Sequence, residues 1–108
     1  MNIYDRLKKN GLNLKPSEVE MICLKYDITE LSVFGSSIRN DFNVDSDVDL
    51  LAVFKKNSKL SLFDIFYLEE EFSNLLNRDV QVIPKDGLRN PLRREMIISS
   101  SELIYATQ

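Results

Sequence analysis

The chain has 108 residues, 44% hydrophobic and 29% charged, with a formal net charge of −3, an ordinary globular composition with room for one core and one domain, residues 1–108. One cysteine and no histidine exclude an internal disulfide, the usual zinc sites and every mechanism built on a Ser-His or Cys-His pair. Any catalysis would fall to carboxylates and bound metal.

Ile3 and Leu7 stand four residues apart and predict a short first helix. Pro16-Ser17-Glu18-Val19-Glu20 predicts a second, with Ser17 as N-cap and Glu20 as its capping-box partner, running to about Tyr26. Val19, Ile22, Cys23 and Tyr26 would face inward, making Cys23 a small core residue and not a nucleophile. Leu31 to Phe34 predicts a strand stopped by Gly35, and Val48 to Phe54 a second strand. From Leu60 to Leu76 the apolar spacing predicts one long amphipathic helix, with Leu62, Ile65, Phe66, Leu68, Phe72, Leu75 and Leu76 turned to the core. Val80 to Ile83 predicts a third strand ended by Pro84, and residues 87–99 a last helix with Leu92, Met96 and Ile97 inward. The tail Leu103-Ile104-Tyr105 suits either a strand or a helix end. This order predicts an α/β (α+β) fold, a small mixed sheet with helices packed on one side.

No apolar run reaches the roughly 20 residues of a membrane span, and the N-terminus lacks the apolar stretch of a signal peptide, so a cytoplasmic protein is expected. Lys8-Lys9, Lys55-Lys56 and Arg89/Arg93/Arg94 are short, separated basic spots. They read as solvated faces, and no nucleic-acid binding is expected. The 60–76 helix and the apolar tail are candidate interfaces for a partner or an oligomer.

Two features carry chemistry. Asp47 and Asp49 open a buried-type strand, and alternation projects both carboxylates to one face, roughly 7 Å apart along the backbone. Such a pair is tolerable at a strand end in water, or with a cation between the two charges. The second feature is Gly35-Ser36 after a strand. Glycine there permits close approach of backbone to a phosphate, and the serine hydroxyl can bond a phosphate oxygen. By itself a Gly-Ser is more often only a turn. A calcium loop starting at Asp45 would need Gly at its sixth position and Glu at its twelfth, where Leu50 and Lys56 stand. An aspartyl-phosphate site would place its Asp-x-Asp after the apolar run, whereas Leu50 to Phe54 follow it.

Residues 33–51, VFGSSIRNDFNVDSDVDLL, resemble the Gly-Ser…Ser-Asp-x-Asp-Leu signature of the minimal nucleotidyltransferase domains in the DNA polymerase beta superfamily. The resemblance implies the nucleotidyltransferase fold and a reaction that transfers a nucleoside monophosphate, AMP from ATP, to a hydroxyl. It places Gly35, Ser36, Arg39 and Ser46 at the nucleotide, with Asp47 and Asp49 as catalytic ligands of two Mg2+ ions. It also implies a HEPN-type protein partner, a toxin modified on tyrosine, with this chain as the antitoxin.

Two positions depart from the family pattern. Asn40 stands where the family has glycine, and asparagine tolerates left-handed backbone better than most residues. In Arg78-Asp79-Val80-Gln81, Gln81 takes the position of the third carboxylate, and a neutral amide cannot accept the acceptor's proton. Asp79 shares that strand face and is the candidate substitute; it is otherwise a polar residue at a helix-to-strand junction. Gln81 therefore keeps open a second expectation, a weakened relative that binds nucleotide or neutralises a partner by contact.

Overall fold

The computed structural model describes residues 2–43 and 45–107. In chain order these form α1 (Ile3–Lys9), α2 (Pro16–Lys25), β1 (Ile28–Phe34), a 3-10 turn (Gly35–Ile38), β2 (Val48–Phe54), α3 (Leu62–Leu76), β3 (Val80–Pro84), a second 3-10 turn (Lys85–Gly87), α4 (Pro91–Ser100) and β4 (Glu102–Ala106). The tail resolves as a strand. The sheet runs β3-β2-β1-β4. β1 pairs antiparallel with both β2 and β4, while β2 and β3 are parallel and joined by the α3 crossover.

Helix ends follow local chemistry. Pro16 at the first helical position has a preset φ and no N–H to satisfy, so α2 starts there and its cap is Lys15. The Lys15 N–H donates to the Glu18 carboxylate at 3.0 Å; Ser17 lies inside the first turn, so the Ser17–Glu20 box predicted from the sequence does not form. On α3 the box is reciprocal: Ser61 N–H donates to Asp64 at 2.8 Å and Asp64 N–H donates back to Ser61 Oγ at 3.3 Å. Asp27, with φ of 57°, ends α2 sharply, and β1 begins at Ile28, three residues before the predicted strand. Ile28 pairs with Phe54 on β2 and Glu30 with both Val53 and Ala106, so the sheet recruits the chain ahead of Leu31, with a register shift at Thr29.

Helices α1, α2 and α3 cover one face, where Leu7, Val19, Cys23, Leu68 and Phe72 pack on Leu31, Val33 and Leu50. Cys23 is wholly buried there, and burial pushes its thiol up to about 12, as a core residue requires. In addition, α4 closes a small cluster on the opposite face through Ile97, against Phe34, Leu51 and Leu88.

The inward sets of α3 and α4 differ from prediction. Leu68, Phe72 and Leu76 are buried, but Leu62 and Phe66 are 87% and 60% exposed, alongside exposed Phe63 and Tyr67. Phe66 lies two residues before Leu68, roughly 200° around the helix, so a helix lying on a sheet cannot bury both stripes. On α4, Leu92 and Met96 are exposed and only Ile97 is buried, because this helix touches the sheet along a single line. Both sheet edges are partly blocked: Glu69 accepts the Val82 N–H on β3 at 2.7 Å, and the Tyr4 hydroxyl donates to the Ile104 carbonyl on β4 at 2.6 Å. No helix among the described residues is long and apolar enough to cross a membrane.

Candidate nucleotide and metal site

The β1–β2 register brings the two sequence features together. Phe34 is the Cα partner of Asp49, so the chain leaves β1 directly beside the carboxylate. Gly35 sits at φ of +78°, and a Cβ there would lie 2.6 Å from Asp49 Oδ2. The glycine is thus required twice, by the left-handed backbone and by the carboxylate pressed against it. The turn it opens is held from below by α1. Arg6 Nη2 donates to the Ile38 carbonyl at 3.0 Å, and Asn10 Nδ2 donates to the Ser37 carbonyl at 2.8 Å. Ser37 is fully buried, while Ser36 keeps partial access to solvent. Arg6 and Asn10 carry no sequence signal, since neither belongs to a periodic face or a motif.

Asp47 is exposed and Asp49 half-buried. Burial first, and then repulsion from Asp47, raise the Asp49 carboxyl above its ordinary pKa, with Arg39 pulling the other way. Arg39 is exposed and paired with Asp41 at 3.0 Å, which lowers the Asp41 carboxyl. Asn40 is not among the residues with positive φ, so this position makes no demand for glycine. Ser46 accepts the Asn43 N–H on its hydroxyl at 3.1 Å and returns its own N–H to the Asn43 carbonyl at 3.0 Å. Its side chain therefore closes the loop that delivers Asp47.

On the far side of β2, Asp49 is the Cα partner of Gln81, and the Asp79 carbonyl accepts the Val48 N–H at 2.9 Å. The structure therefore puts Gln81 beside Asp49 and Asp79 near Asp47. Both are exposed. Asp47 and Asp79 line a cleft of about 480 Å3 with Ser46, Asn74, Asn77 and Arg78. Among the described residues no three Asp, Glu or Cys side chains gather closely enough to share a metal ion. The donor set at the pair is two carboxylates with a neighbouring amide, oxygen donors suited to a hard divalent cation. Burial and, after it, repulsion from Asp47 raise Asp49; a cation between the two carboxylates relieves the repulsion, so the residues fit Mg2+.

Arg78 is a further residue that the sequence did not mark for this site. Its Nη1 donates to the Asn43 carbonyl at 2.7 Å and to the Ser46 carbonyl at 2.9 Å, and its guanidinium lies 4.4 Å from the Phe42 ring centroid. It ties the loop before Asp47 to the start of β3. Replacing Arg78 with alanine should speed amide exchange at Ser46 about tenfold, the equivalent of roughly 1.4 kcal/mol of local protection, with little change in global melting. Hydrogen–deuterium exchange resolved to this loop checks it; unchanged exchange at Ser46 would remove the clamp.

A mixed sheet carrying a Gly-Ser turn on one strand end and an Asp-x-Asp pair on the next is the core of a nucleotidyltransferase domain. The chain belongs to that family: the nucleotidyltransferase domain model matches residues 17–104. It is 31% identical over 81 residues to the protein adenylyltransferase MntA of Thermococcus cleftensis, covering 75% of this chain and 77% of that protein. With the MJ0128 protein of Methanocaldococcus jannaschii it shares 33% identity over 103 residues, covering 95% of this chain and 93% of that one. Its fold matches the crystal structure of a toxin–antitoxin with AMP-PNP, with a TM-score of 0.70 at 14% identity, over 88% of this chain and 76% of that one. It also matches one chain of the complex between a tri-AMPylated Shewanella oneidensis HEPN toxin and an MNT antitoxin, with a TM-score of 0.62 at 12% identity, over 94% of this chain and 74% of that one.

Proposed function

We propose that residues 1–108 act as a single minimal domain in the cytoplasm, transferring AMP from ATP, with Mg2+, to a hydroxyl of a HEPN-type toxin and so serving as its antitoxin. The observation that carries this is Gly35 lying against Asp49, with no room for a Cβ between them. The phosphate-cradling turn and the metal-binding carboxylate then form one site. In it Gly35 and Ser36 hold the pyrophosphate end of the triphosphate through the turn. Arg39, freed from Asp41, adds positive charge there. Asp47 and Asp49 would hold the metal, which when bound neutralises phosphate charge and polarises the reacting phosphoryl group. The carboxylates and turn fix the α-phosphate in orientation, so the chain's contribution is positioning and electrostatics.

Two facts support a protein acceptor. The Thermococcus cleftensis relative is named a protein adenylyltransferase, and the exposed row Leu62, Phe63, Phe66 and Tyr67 on α3 offers an apolar surface to a partner. A second reading, a nucleotide-binding neutraliser with little turnover, is favoured by Gln81 beside Asp49.

Transfer breaks the bond between the α- and β-phosphates, so the inert analogue is α,β-methylene ATP. Calorimetry should show Mg2+-dependent binding of this analogue, weakened at least about tenfold in the Asp47→Asn/Asp49→Asn variant. Incubation with α-labelled ATP and a HEPN-type partner should then label the partner. Binding without label would leave the neutraliser reading; absence of analogue binding in the wild type would defeat a free-standing site.

A further inference from the structure

We infer that α1 is part of the nucleotide site, with Arg6 and Asn10 as positioning residues that act through the backbone of the Gly35–Arg39 turn and set its affinity for the triphosphate. The inference deepens the reading above, in which Gly35, Ser36 and Arg39 receive the phosphates, and rests on it. A short 3-10 turn is a weak element by itself, because its hydrogen bonds are poorly aligned and its last carbonyls have no partner within it. Here the Arg39 N–H closes the turn onto the Ser36 carbonyl at 2.9 Å. The next three carbonyls, of Ser37, Ile38 and Arg39, all go to α1. Asn10 Nδ2 donates to Ser37 at 2.8 Å and to Arg39 at 3.2 Å, and Arg6 Nη2 donates to Ile38, between them, at 3.0 Å. Two side chains one helical turn apart thus grip three consecutive peptide groups.

Those carbonyls belong to the stretch that links Ser36 to Arg39, so the grip fixes how the two side chains stand relative to each other. Arg6 is itself held. Its Nη1 pairs with the Glu102 carboxylate, and Glu102 is the Cα partner of Val33. One guanidinium therefore ties the turn to the same end of the β1–β4 pairing from which it emerges. Asn10 is held as the C-cap of α1, its own N–H donating to the carbonyl of buried Leu7 at 3.0 Å. The Asn10–Arg39 contact is exposed, where water would satisfy the carbonyl equally well, so what the amide adds is geometry. A turn already held in its bound shape loses less conformational entropy when phosphates arrive. Once α1 lets go, the same turn must order on binding, and affinity falls with every ligand-contacting side chain still in place.

The test compares three variants of the full chain by calorimetric titration with α,β-methylene ATP and Mg2+, at a temperature where melting curves show each of them folded. Asn10→Ala removes an amide donor and no charge; it should weaken binding about tenfold and speed amide exchange at Arg39. Arg6→Lys keeps the charge but replaces a forked guanidinium by a single ammonium that cannot hold Glu102 and Ile38 together, and should weaken binding about fivefold. Tyr4→Phe removes a different bond of α1, from the Tyr4 hydroxyl to the Ile104 carbonyl on β4 at 2.6 Å. It should lower the melting temperature while keeping wild-type affinity and wild-type exchange at Arg39. Wild-type affinity in Asn10→Ala or in Arg6→Lys, or an equal loss in Tyr4→Phe, overturns the positioning role. Failure of the wild type to bind the analogue overturns the nucleotide reading beneath it.

Discussion

Replacing Phe72 with alanine should destabilise the protein by about 3–5 kcal/mol, whereas replacing Phe66 with alanine should change stability by less than about 0.5 kcal/mol. The two phenylalanines lie on one helix, six residues apart. Phe72 is 0% exposed in the core that α1, α2 and α3 build on the sheet; Phe66 stands in solvent. Truncating Phe72 removes its transfer free energy and leaves a cavity that the surrounding buried cluster cannot fill without moving backbone. Against a total stability of roughly 5–15 kcal/mol for a domain of this size, that loss leaves a marginal fold. Urea unfolding of the two variants decides it. A large loss in Phe66→Ala would mean that this face is covered, and a small one in Phe72→Ala would mean that the core tolerates the cavity.

The contrast also shows what the sequence could reveal. Strands β2 and β3 are legible because each is a short apolar run bounded by polar or proline residues, and the Gly35–Ser36 and Asp47–Asp49 motifs are legible because their chemistry is local. Which stripe of α3 faces the sheet is not local. Leu62, Phe63, Phe66 and Tyr67 make the helix apolar nearly all round its first half, and hydrophobic spacing cannot separate a core stripe from an exposed one when both are present. The start of α2 is set by one local competition, in which Pro16 fixes the first helical position and overrides the Ser17 signal, leaving Lys15 as the cap. The contacts of Arg6, Asn10 and Arg78 with the site loops span 27 to 35 residues, and their partners are backbone carbonyls, which no residue type announces. The Gln81 substitution was legible, but only the parallel register shows that it neighbours Asp49 while Asp79 serves the other end of the pair.

Gly35→Ala should reduce affinity for α,β-methylene ATP by at least about a hundredfold, the larger part of it through Asp49. The methyl group would sit 2.6 Å from Asp49 Oδ2, closer than any real carbon–oxygen contact, so either the carboxylate rotates away from the metal position or the turn lifts from the sheet. Both break the site. Left-handed backbone adds a cost of about 1–2 kcal/mol for any residue with a Cβ, and Gly11 isolates that cost: its φ is +79° and nothing lies within 4 Å of a Cβ there. Gly11→Ala should therefore lose similar stability while keeping nucleotide affinity. Asp49→Asn provides the opposite control. Since the folded state raises the Asp49 carboxyl by burial and by Asp47, its ionisation opposes folding, and stability falls as pH rises from the ordinary carboxylate pKa through the raised one. Removing the charge should thus raise the melting temperature at neutral pH in metal-free buffer while abolishing metal-dependent binding, the signature of a carboxylate placed for a ligand at the expense of the fold. Calorimetric binding and thermal melting on the same three variants separate the cases. If Gly35→Ala binds like Gly11→Ala, the contact with Asp49 is incidental; if Asp49→Asn melts lower than wild type, the charge is held by the fold for its own sake.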